Sequence, residues 1–357
     1  MNSPYPPITS MAPLKFGAVL VPGILTVHST HRQLSNFPLT QEFVPTNQLP
    51  AAAFDAPIQI IYVVGRVKSR APSLSGKSFR LTDDGLLLQE TPLSRWNRFS
   101  VALEYDMGTS AIFVNPLYHY LGRITIGNLH SSGWLLRDLS NLQLLHHGFC
   151  ILHAAGLRYE REVTLLIGLS NTGKTTTVID LVKSFNAAYY GDDLVVTDGK
   201  DLYPCPYTAA NLNPRNDVSF RYRTIQWARR NIPLFDNFGP KIPIMISDYL
   251  GAGNCADPAR ITNVLFLRRS NQHRERELEK HEAARLLLAS NRTEFTYAAS
   301  PIFNAAEYLG LDCPVTALVD REAEICAKVV ENAHCRLIEG GPEQFRLAAV
   351  DSLGINT

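Results

Sequence analysis

No C-x-x-C pair and no zinc-ligand spacing occurs in this chain of 357 residues. That absence excludes a structural zinc site and a thioredoxin-like redox centre. The six cysteines, Cys150, Cys205, Cys255, Cys313, Cys326 and Cys335, are scattered. They read as reduced, buried thiols of a cytoplasmic protein. An excess of charge of either sign is lacking too: 34 Lys and Arg stand against 33 Asp and Glu, for a net charge of +1. That balance gives no support to a broad nucleic-acid or membrane-surface role, and no pattern of aromatic and basic residues points to nucleic acid. No apolar run is long enough to span a bilayer. The only candidate, Phe16 to Val27, is broken by Pro22 and Gly23. Only Lys15 precedes it and His28-Ser29-Thr30-His31 follows, so it reads as a strand entering the fold rather than a signal peptide. The G-x-S-x-G, H-E-x-x-H and EF-hand patterns are all missing, which removes support for Ser/His/Asp hydrolysis and for a dedicated metal enzyme. Internal repeats and low-complexity tracts are likewise absent.

What is there is a globular composition, 45% apolar and 19% charged, in a chain long enough for two domains or one large one. Residues 1–13, with Pro4, Pro6, Pro7 and Pro13, read as a disordered lead-in. Residues 14–135 alternate short β-rich runs with turn signals. Pro57 to Val64, Ser100 to Tyr105 and Ser110 to Val114 are such runs, and Asp83-Asp84-Gly85 marks a turn between Phe79–Leu81 and Leu86–Leu88. This half carries no recognisable chemistry. Beyond it, helical spacing runs from Leu135 to Leu145, and an apolar strand from Ile261 to Leu267. A charged amphipathic helix is predicted over Arg274 to Ala289, and a final one over Glu322 to Asn332. The stretch from about 198 to 258 reads as rich in loops.

The chemistry lies between these elements. Gly168-Leu169-Ser170-Asn171-Thr172-Gly173-Lys174-Thr175 is a complete G-x-x-x-x-G-K-[ST] phosphate loop. The apolar run Val163 to Ile167 precedes it, and Val178, Leu181, Val182 and Phe185 follow at i, i+3, i+4, i+7. Strand, glycine loop and amphipathic helix are the context in which such a loop closes backbone N–H groups and a helix N-terminus around a polyphosphate. Lys174 would reach the terminal phosphates, and the Thr175 hydroxyl would join Mg²⁺.

Asp192 and Asp193 follow Lys174 by about one helix plus a return strand, which would bring them back beside the loop. One carboxylate can hold Mg²⁺ while its neighbour, turned the other way by strand alternation, faces an acceptor hydroxyl. Taken alone, Gly191-Asp192-Asp193 could be merely a turn. His153 ends an apolar run ahead of the loop, and His146 and His147 read as structural. Arg215, Arg221, Arg223, Arg229 and Arg230 form a basic cluster that could steer an acidic partner or simply coat a solvated helix. Arg268 and Arg269 follow an apolar strand, where its end would meet a ligand crevice.

His153-Ala154-Ala155, the loop from Gly168 to Thr175 and Asp192-Asp193 together resemble the catalytic domain of the HPr kinase family, the bacterial Ser kinase/phosphorylases related to phosphoenolpyruvate carboxykinase. The resemblance covers residues 145–200 well. It implies an α/β fold with a carboxykinase-like P-loop kinase core over residues 136–357, behind the mainly β region. Transfer of the γ-phosphoryl of ATP to a hydroxyl is the implied activity. Gly168, Ser170, Asn171, Thr172, Gly173, Lys174, Thr175 and Thr176 would bind the nucleotide, Thr175 and Asp193 the Mg²⁺, and Asp192 would take the hydroxyl proton. Lys174 and the family's histidine, falling on His153, complete the catalytic set. The family also implies an oligomer. Two departures bear on the acceptor. Thr176 stands where the family carries an acidic residue, and the glycine-bounded arginine segment used to recognise HPr is missing. HPr is therefore not the expected acceptor. The chain looks more like the divergent HPr-kinase-like proteins, some of which phosphorylate a precursor peptide. A Ser or Thr of a peptide or protein is the leading acceptor, a small-molecule hydroxyl the alternative, and a non-catalytic nucleotide sensor a third reading. ATP and GTP are not distinguished.

Overall fold

The alternating apolar runs of the N-terminal half do form a sheet, and its first run holds two strands. In the computed structural model, which describes residues 14–32, 43–67, 72–76, 78–122, 131–205, 224, 227–228, 231–232 and 256–355, β1 (Phe16–Val21) turns at Pro22–Gly23 into antiparallel β2 (Leu25–Ser29). The run read as one entering strand is thus a hairpin, because Pro22 and Gly23 supply a tight turn rather than an interruption. β3 (Val44–Pro45), β4 (Ile58–Val64), β5 (Pro72–Ser75), β6 (Phe79–Thr82), β7 (Leu86–Pro92), β8 (Arg98–Glu104) and β9 (Thr109–Val114) complete a nine-stranded mixed sheet. Its order is β3-β1-β2-β4-β9-β8-β7-β6-β5, parallel at β2–β4 and β4–β9 and antiparallel elsewhere. The turn at Asp83–Gly85 joins β6 to β7 as the sequence predicts. α1 (Pro116–Leu121) starts on Asn115, whose side chain accepts from the Tyr118 N–H, and α2 (Ser132–His146) follows.

Two compact units divide the chain. One is Met1–Gln143, Asn213–Pro243 and Tyr297–Thr316; the other is Leu144–Leu212, Ile244–Thr296 and Ala317–Thr357. A cut at 135/136 falls inside α2. The stretch Tyr297–Thr316 belongs with the β-rich unit, where Cys313 and Asp312 lie close enough to Tyr105 to raise its hydroxyl pKa further above the rise that burial gives. The expected lead-in at 1–13 and the cluster of Arg215, Arg221, Arg223, Arg229 and Arg230 lie outside the described residues.

The second unit carries the loop. β10 (Cys150–Leu152), β14 (Val195–Thr197), β15 (Asp201–Tyr203) and β16 (Ala259–Arg260) pair as a four-stranded antiparallel sheet. A six-stranded mixed sheet has the order β13-β11-β12-β17-β19-β18. Its strands are β11 (Ala154–Tyr159), β12 (Glu162–Ile167), β13 (Ala188–Gly191), β17 (Asn263–Arg269), β18 (Arg274–Glu277) and β19 (His334–Gly340). α3 (Lys174–Phe185) follows β12, α4 (Lys280–Glu294) follows β18, and α5 (Pro301–Tyr308) lies in the β-rich unit. α6 (Val315–Glu331) and α7 (Pro342–Ser352) complete the seven α-helices among the described residues.

Strand direction explains where the chemistry gathers. β12, β17 and β19 are parallel neighbours, while β11 is antiparallel to both β12 and β13. β12, β13, β17 and β19 therefore end at one edge, where β11 begins. His153 precedes β11, the phosphate loop follows β12, Asp192-Asp193 follow β13, and Arg268-Arg269 end β17. All reach that edge. On one face of the sheet α3 and α7 bury Val178, Leu181, Val182, Phe345 and Ala349 against Leu157, Leu166 and Leu265.

The helix predicted from Arg274 starts later. Arg274-Glu275-Arg276-Glu277 is an edge strand, and the helix runs Lys280–Glu294. Its alternating charges, which mimic a solvated helix face, pair instead across the ladder. Arg336 Nη1 reaches Glu275 at 2.7 Å, and Arg274 stands opposite Glu339. The helix predicted over Glu322–Asn332 begins earlier, at Val315.

Leu181 is fully buried in the α3–sheet core. Leu181→Ala is expected to cost about 2–5 kcal/mol, read as a lower urea midpoint at unchanged slope. A loss below about 1 kcal/mol would show that this helix does not pack as described.

Candidate active site

The loop after β12 takes its shape from two left-handed residues, Asn171 (φ +64°) and Gly173 (φ +120°). Such turns curve successive amides toward one side, as in an anion-binding nest. Gly173 is suited to a conformation most residues avoid. Gly168 is needed for space, because a Cβ there would lie 3.0 Å from Leu267 O. No side chain caps the start of α3. The first N–H groups of Lys174, Thr175 and Thr176 thus face the loop with the positive end of the helix behind them.

Lys174 is only 3% exposed. Its Nζ donates to Gly168 O at 2.6 Å and Leu169 O at 3.3 Å, and lies 3.0 Å from His153 Nε2. Burial lowers its pKa, and the carboxylates of Asp193, Asp192 and Glu294 oppose that shift. The loop's own carbonyls thus hold the ammonium at its mouth.

Asp192 is 3% exposed, and both carboxylate oxygens are buried, with the Thr175 hydroxyl and the Asp193 N–H as nearby donors. Burial pushes its carboxyl up to about 7, and Asp193 beside it adds to the rise. The nearby Thr175 hydroxyl, the charge of Lys174 and the Asp193 N–H pull it down. Burial raises Asp193 as well, against the pull of Lys174. Strand alternation is not what separates the two carboxylates. β13 ends at Gly191, and Asp193 leaves it at φ +66°, so a left-handed turn divides them.

His153 sits at the junction where the chain leaves β10 in one sheet and enters β11 in the other. Asn291, fully buried on α4, holds this break. Its Oδ1 accepts from the His153 N–H at 2.8 Å, and its Nδ2 donates to Ile151 O at 2.9 Å and to Glu322 Oε1 at 3.0 Å. The side-chain amide thereby stands in for a strand neighbour. Sequence reasoning misses Asn291 and Glu322, since one polar residue within a charged helix gives no signal of its own.

Arg268 and Arg269 differ. Arg269 Nε donates to Thr172 O at 2.7 Å and its guanidinium lies 6.0 Å from the Phe345 ring, so it braces the loop from outside. Arg268 is half-exposed, 3.8 Å from Glu339. His146 ends α2 and His147 follows it, with their rings 5.9 Å apart. Among the described residues no cluster of three or more His, Cys, Asp or Glu could hold a metal ion by itself.

The edge thus offers opposite invitations side by side. Uncapped amides and Lys174 suit an anion, and the carboxylates of Asp192 and Asp193 beside the Thr175 hydroxyl suit a cation. A magnesium–polyphosphate complex meets both demands, with phosphates and water supplying the remaining metal ligands. No protein-family model matches the chain, and no curated protein matches it.

Asp192 also sets a pH dependence. Because its folded pKa is raised, the native state keeps a proton that the unfolded chain has released between about pH 4 and pH 7. Stability is fully present below that window and falls as pH rises through it, by up to about 1.4 kcal/mol per pH unit. In metal-free buffer, Asp192→Asn should melt with the wild type near pH 4 and above it near pH 8. Parallel melting curves across this range would contradict the buried carboxylate.

Proposed function

We propose that this chain is a kinase of the HPr-kinase-like, carboxykinase-related kind, transferring the γ-phosphoryl group of ATP to a hydroxyl, foremost a Ser or Thr of a peptide or protein. The observation that carries this reading is Asp192, a carboxyl buried beside a second carboxyl, Lys174 and the uncapped start of α3. A nucleotide sensor needs the phosphate cradle. It does not need a carboxyl held near neutrality at a cost to stability, which is a hallmark of acid–base work.

The loop amides and the first N–H groups of α3 bind the polyphosphate, and Lys174 shifts its donors from Gly168 O and Leu169 O to the terminal phosphates. Thr175 and Asp193 would hold Mg²⁺, which supplies charge neutralisation on the phosphates. Asp192 accepts the proton of the acceptor hydroxyl as its oxygen bonds to the γ-phosphorus. The bond from that phosphorus to the bridging oxygen breaks, and ADP leaves. His153 accepts a hydrogen bond from Lys174 and orients it. The transition state is loose and rich in charge, so positioning and cations supply most of the rate.

With γ-labelled ATP, Mg²⁺ and a lysate of the source organism, Asp192→Asn should lose about 10²–10⁴ in label transfer while still binding ATP. His153→Ala should lose far less. Equal losses in the two variants would contradict the assigned roles.

A further inference from the structure

A cavity of about 600 Å³ opens beside the start of the phosphate loop, within the second unit. Leu169 and Ser170 of the loop, Leu267 and Arg268 of β17, and Leu286 and Ser290 of α4 are among its walls. Resting on the kinase reading above, we propose that this cavity seats the phosphoryl acceptor and takes a compact ligand with an apolar body and an anionic group.

Position comes first. The ammonium of Lys174 rests on the carbonyls of Gly168 and Leu169, and both residues line the cavity. In a phosphate loop this lysine marks the β- and γ-phosphates. The cavity therefore adjoins the end from which the phosphoryl group departs. A seated acceptor lies beside the loop and extends its hydroxyl toward the terminal phosphate that Lys174 marks.

The lining gives the chemistry. Leu169, Leu267 and Leu286 supply apolar wall. Ser290 is 7% exposed, and its hydroxyl has no hydrogen-bond partner. That oxygen is closed off from solvent, so the polar contacts available to a ligand fall to the arginines. At the rim, the half-exposed Arg268 has Glu339 only at 3.8 Å, and Arg269 commits its Nε to Thr172 O. Two guanidinium groups at the mouth favour a carboxylate or another anion. The volume falls within the range of about 300–1,000 Å³ typical of small-ligand sites. It suits a metabolite or a short acidic peptide segment rather than a folded surface.

The test uses Ala289, an exposed residue of α4 that lines the cavity and touches no loop donor. Wild type, Ala289→Trp and Arg268→Gln are compared for Mg·ATP binding by calorimetry. Label transfer is measured to the polypeptide and small-molecule fractions of a source-organism lysate, each also pre-cleared on an anion or a cation exchanger. The expected result is ATP affinity within about twofold of wild type for both variants. Transfer should fall at least about tenfold in Ala289→Trp and less in Arg268→Gln, and the anion exchanger alone should remove the acceptor. The labelled fraction then identifies the source as peptide or metabolite. Undiminished transfer by Ala289→Trp overturns the acceptor assignment alone, as does loss of ATP binding, which would make the cavity a nucleoside pocket. Wild type that binds Mg·ATP and labels nothing overturns the kinase reading, and this assignment with it.

Discussion

The burial of the Lys174 ammonium governs the second unit. A lysine 3% exposed must be compensated, because an unpaired buried cation is among the most costly things a fold can contain. Gly168 O, Leu169 O and His153 surround it, and Asp192, Asp193 and Glu294 set the field around it. These groups come from three strands and a helix. Only a sheet whose parallel strands end together, with β11 starting at the same edge, can deliver them to one point. The order β13-β11-β12-β17 is the arrangement that does so.

The compensation is uneven, and the imbalance is where chemistry enters. Lys174 rests on fixed acceptors, whereas Asp192 is buried beside a second carboxyl that raises its pKa further, so the carboxyl rather than the amine carries the tension. Tension of this kind is what a binding event can relieve, since a cation beside the two carboxylates and an anion on the loop each offset a buried charge. α4 connects this centre to the rest of the unit. Its Asn291 fixes the break before His153, and one residue earlier Ser290 lines the neighbouring cavity. Successive residues of a helix point about 100° apart, so one element serves both tasks.

Much of the centre was legible in the sequence, because phosphate binding demands a local motif. The loop from Gly168 to Thr175, the Asp pair one helix and one strand later, and His153 can all be read in line, and the structure brings them together. The partners that hold them could not be read so. Asn291, Glu322 and Glu294 are distant in sequence, and nothing in their local pattern separates them from surface residues. The edge strand at Arg274–Glu277 was hidden for the opposite reason. Its alternating charges fit a helix surface equally well until Arg336 and Glu339 of β19 are known to stand across from it. The hairpin at Pro22–Gly23 and the strand–helix pair of β19 and α7 likewise depend on pairing that local periodicity does not record. The mainly β reading of the first half needed only alternation, and the nine-stranded sheet agrees with it.

The proposed kinase must bind a nucleoside triphosphate at this edge through Lys174. Calorimetric titration of wild type and Lys174→Met with Mg²⁺ and a non-hydrolysable ATP analogue tests this, with folding of both checked by their melting curves. One site per chain is expected in the wild type and a loss of at least about a hundredfold in the variant, roughly 2.7 kcal/mol. Equal affinity in the two proteins, or no binding by a folded wild type, would contradict it.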